Sequence, residues 1–479
     1  MLRQLMIIGG KLAESSEGQY IEVINPATEE KIGEVPVASF NQIDEAVNRA
    51  AEAFQEWSTK SPFERAKFME KAALEIEKKA KDIGKVLTME EGKPLKQAVS
   101  EVQGTAEALR YFAEAGKRAF GEIIPLEKSN LSSLVVKQPI GVVAAITPWN
   151  YPVQLLSWKV GAALAGGCTV VAKVPSETPF SPLMFLQCFL DAGFPKGVVN
   201  GIAGSGSTVG KNLVLHPLIR KVSFTGSTEV GKEIMHYCAD GVKRVALELG
   251  GQSPLIVLQD ADLEKAVKGG VRRSFRNMGQ VCNSINRIYV ERPIFERFVE
   301  MFVEETKKLT IGNGLIEDVD LGPMVSLNAW QRAKEHIDDA VAKGARILTG
   351  GGKPVGEKYK KGYYLEPTVI VDVNHQMLLM SEETFGPVVG IMPFDKIEEA
   401  ITWANSTRYG LAAYLYTSSL DHARQISLGL ECGNIGLNNV DVATIYAPYT
   451  GWKESGFGSD LGPEGVSSYL EEKHIKVEF

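Results

Sequence analysis

The chain has 479 residues, 44% of them hydrophobic and 23% charged, the composition of a folded protein too long for one compact core and suited to two or three domains. A net charge of −7 and the lack of any long basic run argue against a nucleic-acid partner. The most apolar run, Val160 to Ala172, is too short to span a bilayer, and the N-terminal stretch is too short for a signal peptide, so a cytoplasmic protein with no membrane partner is expected.

Residues 41 to 118 read as helices, with Ile43, Ala46, Val47, Ala50, Ala51 and Phe54 at helical spacing and Asn41 as the expected first cap. From 141 the period changes. Short runs rich in valine and isoleucine recur at Gly141 to Ile146, Thr169 to Val174, Val198 to Ile202, Lys221 to Phe224, Val245 to Leu247 and Leu255 to Leu258. Helical stretches at 154–165, 180–192 and 228–239 separate most of them. Strands apolar on both faces, alternating with helices, predict an α/β fold with a doubly wound parallel sheet. A second α/β unit follows: a helix over Asp262 to Met278, a strand at Arg287 to Val290, helices at Ile294 to Leu309 and 329–343, strands near 365–371 and 388–393, and a helix at 397–405.

Five widely spaced cysteines (Cys168, Cys188, Cys238, Cys282, Cys432) form neither a disulfide framework nor a CxxC pair, and none of the six histidines stands at metal-ligand spacing from one, so no metal is expected. Gly226 to Lys232 fits the start of a P-loop, but Glu233 stands where a magnesium-binding hydroxyl is required. The run Gly204 to Gly210 is one residue too long for GxGxxG. Phe224 to Gly231 nevertheless follows a strand and opens a helix, a place where backbone N–H groups bind anions.

Two segments carry the chemistry. Leu247-Glu248-Leu249-Gly250-Gly251 sets one carboxylate before a glycine pair, and Gly279-Gln280-Val281-Cys282 sets one cysteine after a glycine. A cysteine nucleophile with a carboxylate base implies covalent chemistry on a carbonyl. In order and spacing these segments resemble the aldehyde dehydrogenase superfamily, together with Thr147-Pro148-Trp149-Asn150-Tyr151-Pro152, Lys173 to Pro179, Gly226 to Gly231, Glu382 to Pro387 and Ser455 to Gly458. The resemblance covers essentially the whole chain.

That resemblance implies NAD(P)-dependent oxidation of an aldehyde to the carboxylic acid. Cys282 would form a thiohemiacetal and then a thioester, Asn150 would serve the oxyanion hole, and Glu248 would assist hydrolysis. It implies a dinucleotide-binding domain at 1–120 and 141–251, a catalytic domain at 252–464, and a small β oligomerisation arm at 121–140 and 465–479. The implied cofactor contacts are Ile146, Thr147, Pro148, Trp149, Lys173, Ser176, Glu177, Gly206, Gly210, Phe224, Thr225, Gly226, Ser227, Val230, Gly231, Leu249, Glu383 and Phe385. Many NAD-preferring relatives have glutamate three residues after the lysine; here that position is Ser176 and the glutamate is Glu177, so NADP is expected to be well used alongside NAD. Tyr151, Trp158, Val281 and Tyr449 are the expected substrate contacts. Trp158 stands where relatives acting on succinic semialdehyde carry arginine, which favours neutral aliphatic or aromatic aldehydes, with amino-aldehydes, betaine aldehyde or a semialdehyde acid as the alternative. A cysteine esterase is the alternative from another class. Edge-like segments at Ser132 to Lys137 and Lys473 to Phe479 predict a homodimer or a homotetramer paired through these strands.

Overall fold

The computed structural model describes residues 1–479 and contains two large sheets, two three-stranded ones and a two-stranded one. The first large sheet has eight strands, in the order Gly456–Phe457, Arg244–Glu248, Ile219–Thr225, Val142–Ile146, Thr169–Lys173, Val199–Ile202, Met6–Ile8 and Lys11–Ala13. Its five central strands are parallel and buried along nearly their whole length, the physical reason their sequences run apolar without alternation. The outer members pair antiparallel and come from the two ends of the chain. The second sheet has seven strands, with Ile285–Glu291 and Ser253–Val257 at its centre and Arg346–Thr349 as its one antiparallel edge.

Local chemistry sets the helix boundaries, and it corrects two expectations. The first helix, Phe40–Trp57, is capped by Ser39 rather than Asn41: the Ser39 hydroxyl accepts from Gln42 N and the Gln42 side chain accepts from Ser39 N, a reciprocal pair that Asn41 cannot form from inside the first turn. The helix expected to run to Met278 stops at Phe275. Asn277, Met278 and Gly279 then take φ values of 52°, 59° and 67°, which no α-helix accommodates. This left-handed turn swings the chain towards the Cys282 segment. Gly279 is needed there, because a Cβ would lie 2.2 Å from Gly386 O.

The arm is the sheet Leu470–Glu478, Leu131–Pro139 and Glu122–Pro125. The strands that hold the two segments read as edges pair with each other over nine residues within one chain, so one side of each is already hydrogen-bonded.

Candidate active site

Cys282 follows the left-handed turn, and Glu248 ends a central strand of the first sheet. Gly251 lets the two segments meet, since a Cβ there would stand 2.3 Å from Cys282 O. The Cys282 thiol donates to Glu248 Oε1 at 3.7 Å, and Thr225 Oγ1 donates to Glu248 Oε2 at 3.2 Å. Burial, helped by the charge of Asp460, pushes the Glu248 carboxyl up to about 7. Burial and the neighbouring Glu248 push the Cys282 thiol well above its usual range. Lys159 and Asp460 form a buried ion pair at 2.7 Å whose charges Glu248 feels.

Asn150 precedes the buried helix Pro152–Gly166. Its Nδ2 donates one hydrogen to Gln280 O at 2.8 Å, which leaves the second free. Its main-chain oxygen accepts from Lys93 Nζ at 2.6 Å and from Asn277 Nδ2 at 3.3 Å. Asn277 is anchored in turn on Glu91 Oε1 at 2.8 Å, which helps hold its left-handed conformation.

Cavities open on either side of this centre, sharing Asn150, Leu155 and Cys282 as walls. The larger, about 400 Å³, is lined by Pro148, Trp149, Glu177, Thr225, Gly226, Ser227, Leu249, Glu383 and Phe385 of the expected cofactor residues. Trp149 and Phe385 meet edge to face at 5.5 Å, and Glu383 Oε1 accepts from Gly251 N at 3.0 Å. Ser227 caps the helix Thr228–Ala239, whose first N–H groups lie at the same end. Apolar faces for a nicotinamide, a carboxylate for ribose hydroxyls and a helix start for phosphates are the donor set a dinucleotide needs, and the residues fit it.

The other expected cofactor residues lie outside this cavity's walls. Ile146 and Lys173 end adjacent strands, Ser176 donates to Gly204 O at 3.3 Å, and Gly206 and Gly210 bound a single π-helical turn. Thr147 is buried with no partner for its hydroxyl, Phe224 lies in a strand, Val230 is exposed, and Gly231 packs on Leu249. Burial draws the Lys173 ammonium down to about 8, against the opposing charge of Glu177. Sequence reasoning missed Ser326, Asn328 and Arg332, which line the cavity from the start of the helix Leu327–Ala342. They stand beside no motif, so nothing in the sequence marked them.

The smaller cavity, about 150 Å³, is lined by all four expected substrate residues, Tyr151, Trp158, Val281 and Tyr449. Trp158 meets Tyr449 edge to face at 6.1 Å and is also a member of the first core cluster, so it is wall and core at once. The cavity is not lined by aromatic and apolar residues alone. Arg273 and Arg276 also line it, brought there because the helix ends at Phe275 and the chain turns towards Cys282. Arg273 is bound to Asp441 Oδ1 at 2.5 Å and Asn283 Oδ1 at 3.2 Å, whereas the Arg276 side chain forms no hydrogen bond or ion pair and acts on Asp441 only through space. Two arginines three residues apart, just before the cysteine, were the available signal.

A model of the aldehyde dehydrogenase family matches residues 12–475. The chain belongs to that family. It is 40% identical to the NADP-dependent succinate-semialdehyde dehydrogenase of Escherichia coli over 477 residues, 100% of this chain and 98% of the relative. It is 41% identical to a glutarate-semialdehyde dehydrogenase of Pseudomonas putida over 478 residues, 100% and 98% of the two chains. The solved structure of a Brucella melitensis aldehyde dehydrogenase superposes with a TM-score of 0.97 at 40% identity, covering 100% of this chain and 98% of that one. The betaine aldehyde dehydrogenase of Staphylococcus aureus with NAD+ gives 0.96 at 36% identity, covering 99% and 94%. The protein is an aldehyde dehydrogenase that oxidises aldehydes with NAD(P). No helix is long and apolar enough to cross a membrane.

Proposed function

We propose that Cys282 is the nucleophile, Glu248 the base and Asn150 the oxyanion donor of this oxidation. The carrying observation is that the two cavities meet at Cys282 and Asn150. Glu248 Oε1 takes the thiol proton across the 3.7 Å contact, and the sulfur bonds to the aldehyde carbon. The resulting oxyanion is held by the free Nδ2 hydrogen of Asn150 and the backbone N–H of Cys282. A bound nicotinamide supplies the acceptor for the hydride that leaves this carbon. Glu248 first gives the thiol proton to solvent; it then takes a proton from the water that attacks the thioester, the C–S bond breaks, the acid leaves and Cys282 is restored as a thiolate. Cys282→Ser, assayed by absorbance of the reduced nicotinamide, is expected to abolish oxidation; retained turnover would refute the assignment.

The substrate is an aldehyde with an anionic group at its far end. The aromatic walls by themselves favour neutral aldehydes, but an unpaired guanidinium at Arg276 offers a carboxylate or sulfonate a charge-assisted, bidentate partner. Relatives named for succinate semialdehyde, glutarate semialdehyde and 3-sulfolactaldehyde support this reading. Succinic and glutaric semialdehydes are expected to exceed hexanal, benzaldehyde and betaine aldehyde in kcat/KM by about tenfold or more. A neutral aldehyde as the best substrate would overturn it.

NADP is the preferred cofactor, supported by Ser176 in place of a ribose-binding carboxylate and by the nearby Lys173. NAD favoured by about a hundredfold in kcat/KM would contradict this. The enzyme works as a homodimer or homotetramer joined through the arm, where Ile123, Ile475 and Phe479 stand exposed. A monomeric mass by light scattering at micromolar concentration would rule that out.

A further inference from the structure

Tyr449 forms part of the aldehyde cavity and is buried there, its ring edge-on to Trp158. A wall needs only the ring, yet this residue carries a hydroxyl into the site. The Tyr449 oxygen accepts a hydrogen bond from Asn283 Nδ2 at 3.0 Å. Its own proton has one acceptor within range, Cys282 Sγ at 3.9 Å.

The groups facing the sulfur mostly oppose its ionisation. Glu248 and Glu383 present carboxylates, whereas the phenols of Tyr414 and Tyr449 stay protonated and bring no charge. Arg273 lies in the same cavity but is held by Asp441 and Asn283. Arg276 lines that cavity too, with no polar contact to the sulfur. A thiolate formed here therefore needs a neutral donor close by. We propose that the Tyr449 hydroxyl is a catalytic hydrogen-bond donor that stabilises the Cys282 thiolate.

When the thiol proton passes to Glu248 Oε1, the S–H bond breaks and its electron pair stays on sulfur. The charged sulfur is a much stronger acceptor than the thiol, so the 3.9 Å contact shortens into a charge-assisted bond. Asn283 polarises the hydroxyl from behind and fixes its direction. The phenol keeps its proton throughout, because burial raises its ionisation far above the working range. The donor loosens when sulfur bonds to the aldehyde carbon and the charge moves to the carbonyl oxygen. It engages again when the C–S bond of the thioester breaks and sulfur leaves as thiolate.

This role rests on Cys282 as nucleophile and is independent of the charge of the substrate. Tyr449→Phe removes one oxygen and keeps the ring contact with Trp158. The test is alkylation of Cys282 by iodoacetamide in the full-length enzyme without aldehyde, followed against pH with the labelled site read by mass spectrometry. In Tyr449→Phe the midpoint is expected to move up by about one pH unit, with the rate at pH 7 falling about tenfold and the high-pH plateau unchanged. Superimposable curves would overturn the proposal. So would a changed plateau with an unmoved midpoint, which marks altered access to the cavity rather than a lost donor.

Discussion

Lys93 and Asn150 are joined by a 2.6 Å hydrogen bond from a buried ammonium to a main-chain carbonyl. The same ammonium pairs with Glu101 at 2.6 Å, and Glu101 Oε1 accepts the first free N–H groups of the helix Pro152–Gly166 from Val153 and Gln154. The residue proposed to hold the oxyanion is thus tied, through one ion pair, to the helix that follows it.

Breaking that tie has a calculable cost. Lys93→Met leaves the Glu101 carboxylate buried without its partner, and the loss of unfolding free energy in urea is expected to be about 3–5 kcal/mol. Because the Asn150 loop loosens, kcat should fall roughly ten- to hundredfold with KM little changed. A variant as stable and active as the parent would show that the bond has no positioning role.

Glu248→Gln removes the base from both halves of the reaction. The amide takes neither the thiol proton nor that of the hydrolytic water, so steady-state turnover is expected to fall by about 10² to 10⁴ and the first turnover of reduced nicotinamide to slow as well. Rapid-mixing absorbance checks this. The pH dependence has a definite sign: a base raised to about 7 by burial is active once deprotonated, so kcat of the parent enzyme rises as pH increases through that value.

Arg276→Met removes the unpaired charge from the aldehyde cavity. For succinic semialdehyde, kcat/KM is expected to fall roughly ten- to hundredfold, the worth of one hydrogen bond to a charged group. Hexanal should change by no more than about twofold, since it makes no such bond. Equal losses for both would place Arg276 in the structure of the loop rather than in recognition.

Lys173 is expected to make cofactor choice depend on pH. Burial lowers its ammonium to about 8, so its charge is present below that pH and lost above it. The ratio of kcat/KM for NADP over NAD is therefore expected to fall as pH rises through about 8, with the value for NAD nearly flat. A constant ratio would remove Lys173 from contact with the 2′-phosphate.

Much of this architecture was legible in the chain. Val142–Ile146 and Thr169–Lys173 are buried on both faces, and only a sheet covered on both sides tolerates such unbroken apolar runs. Cys282, Glu248 and Asn150 could be singled out because the chemistry restricts each to one residue type beside glycine or a fixed local motif. Tertiary structure alone decided the rest. Met6–Ile8 and Gly456–Phe457 complete the first sheet from opposite ends of the chain, a pairing that no local pattern encodes. The end of the helix at Phe275 depends on Asn277 and Met278 holding left-handed angles, secured by Glu91 far away in sequence, whereas residue spacing predicts uninterrupted helix. That one deviation brings Arg276 into the aldehyde cavity and presents Cys282 to Glu248 and Tyr449. Periodicity reports which face of an element is buried; it carries no information about which distant carbonyl or carboxylate will meet a side chain once the elements are packed.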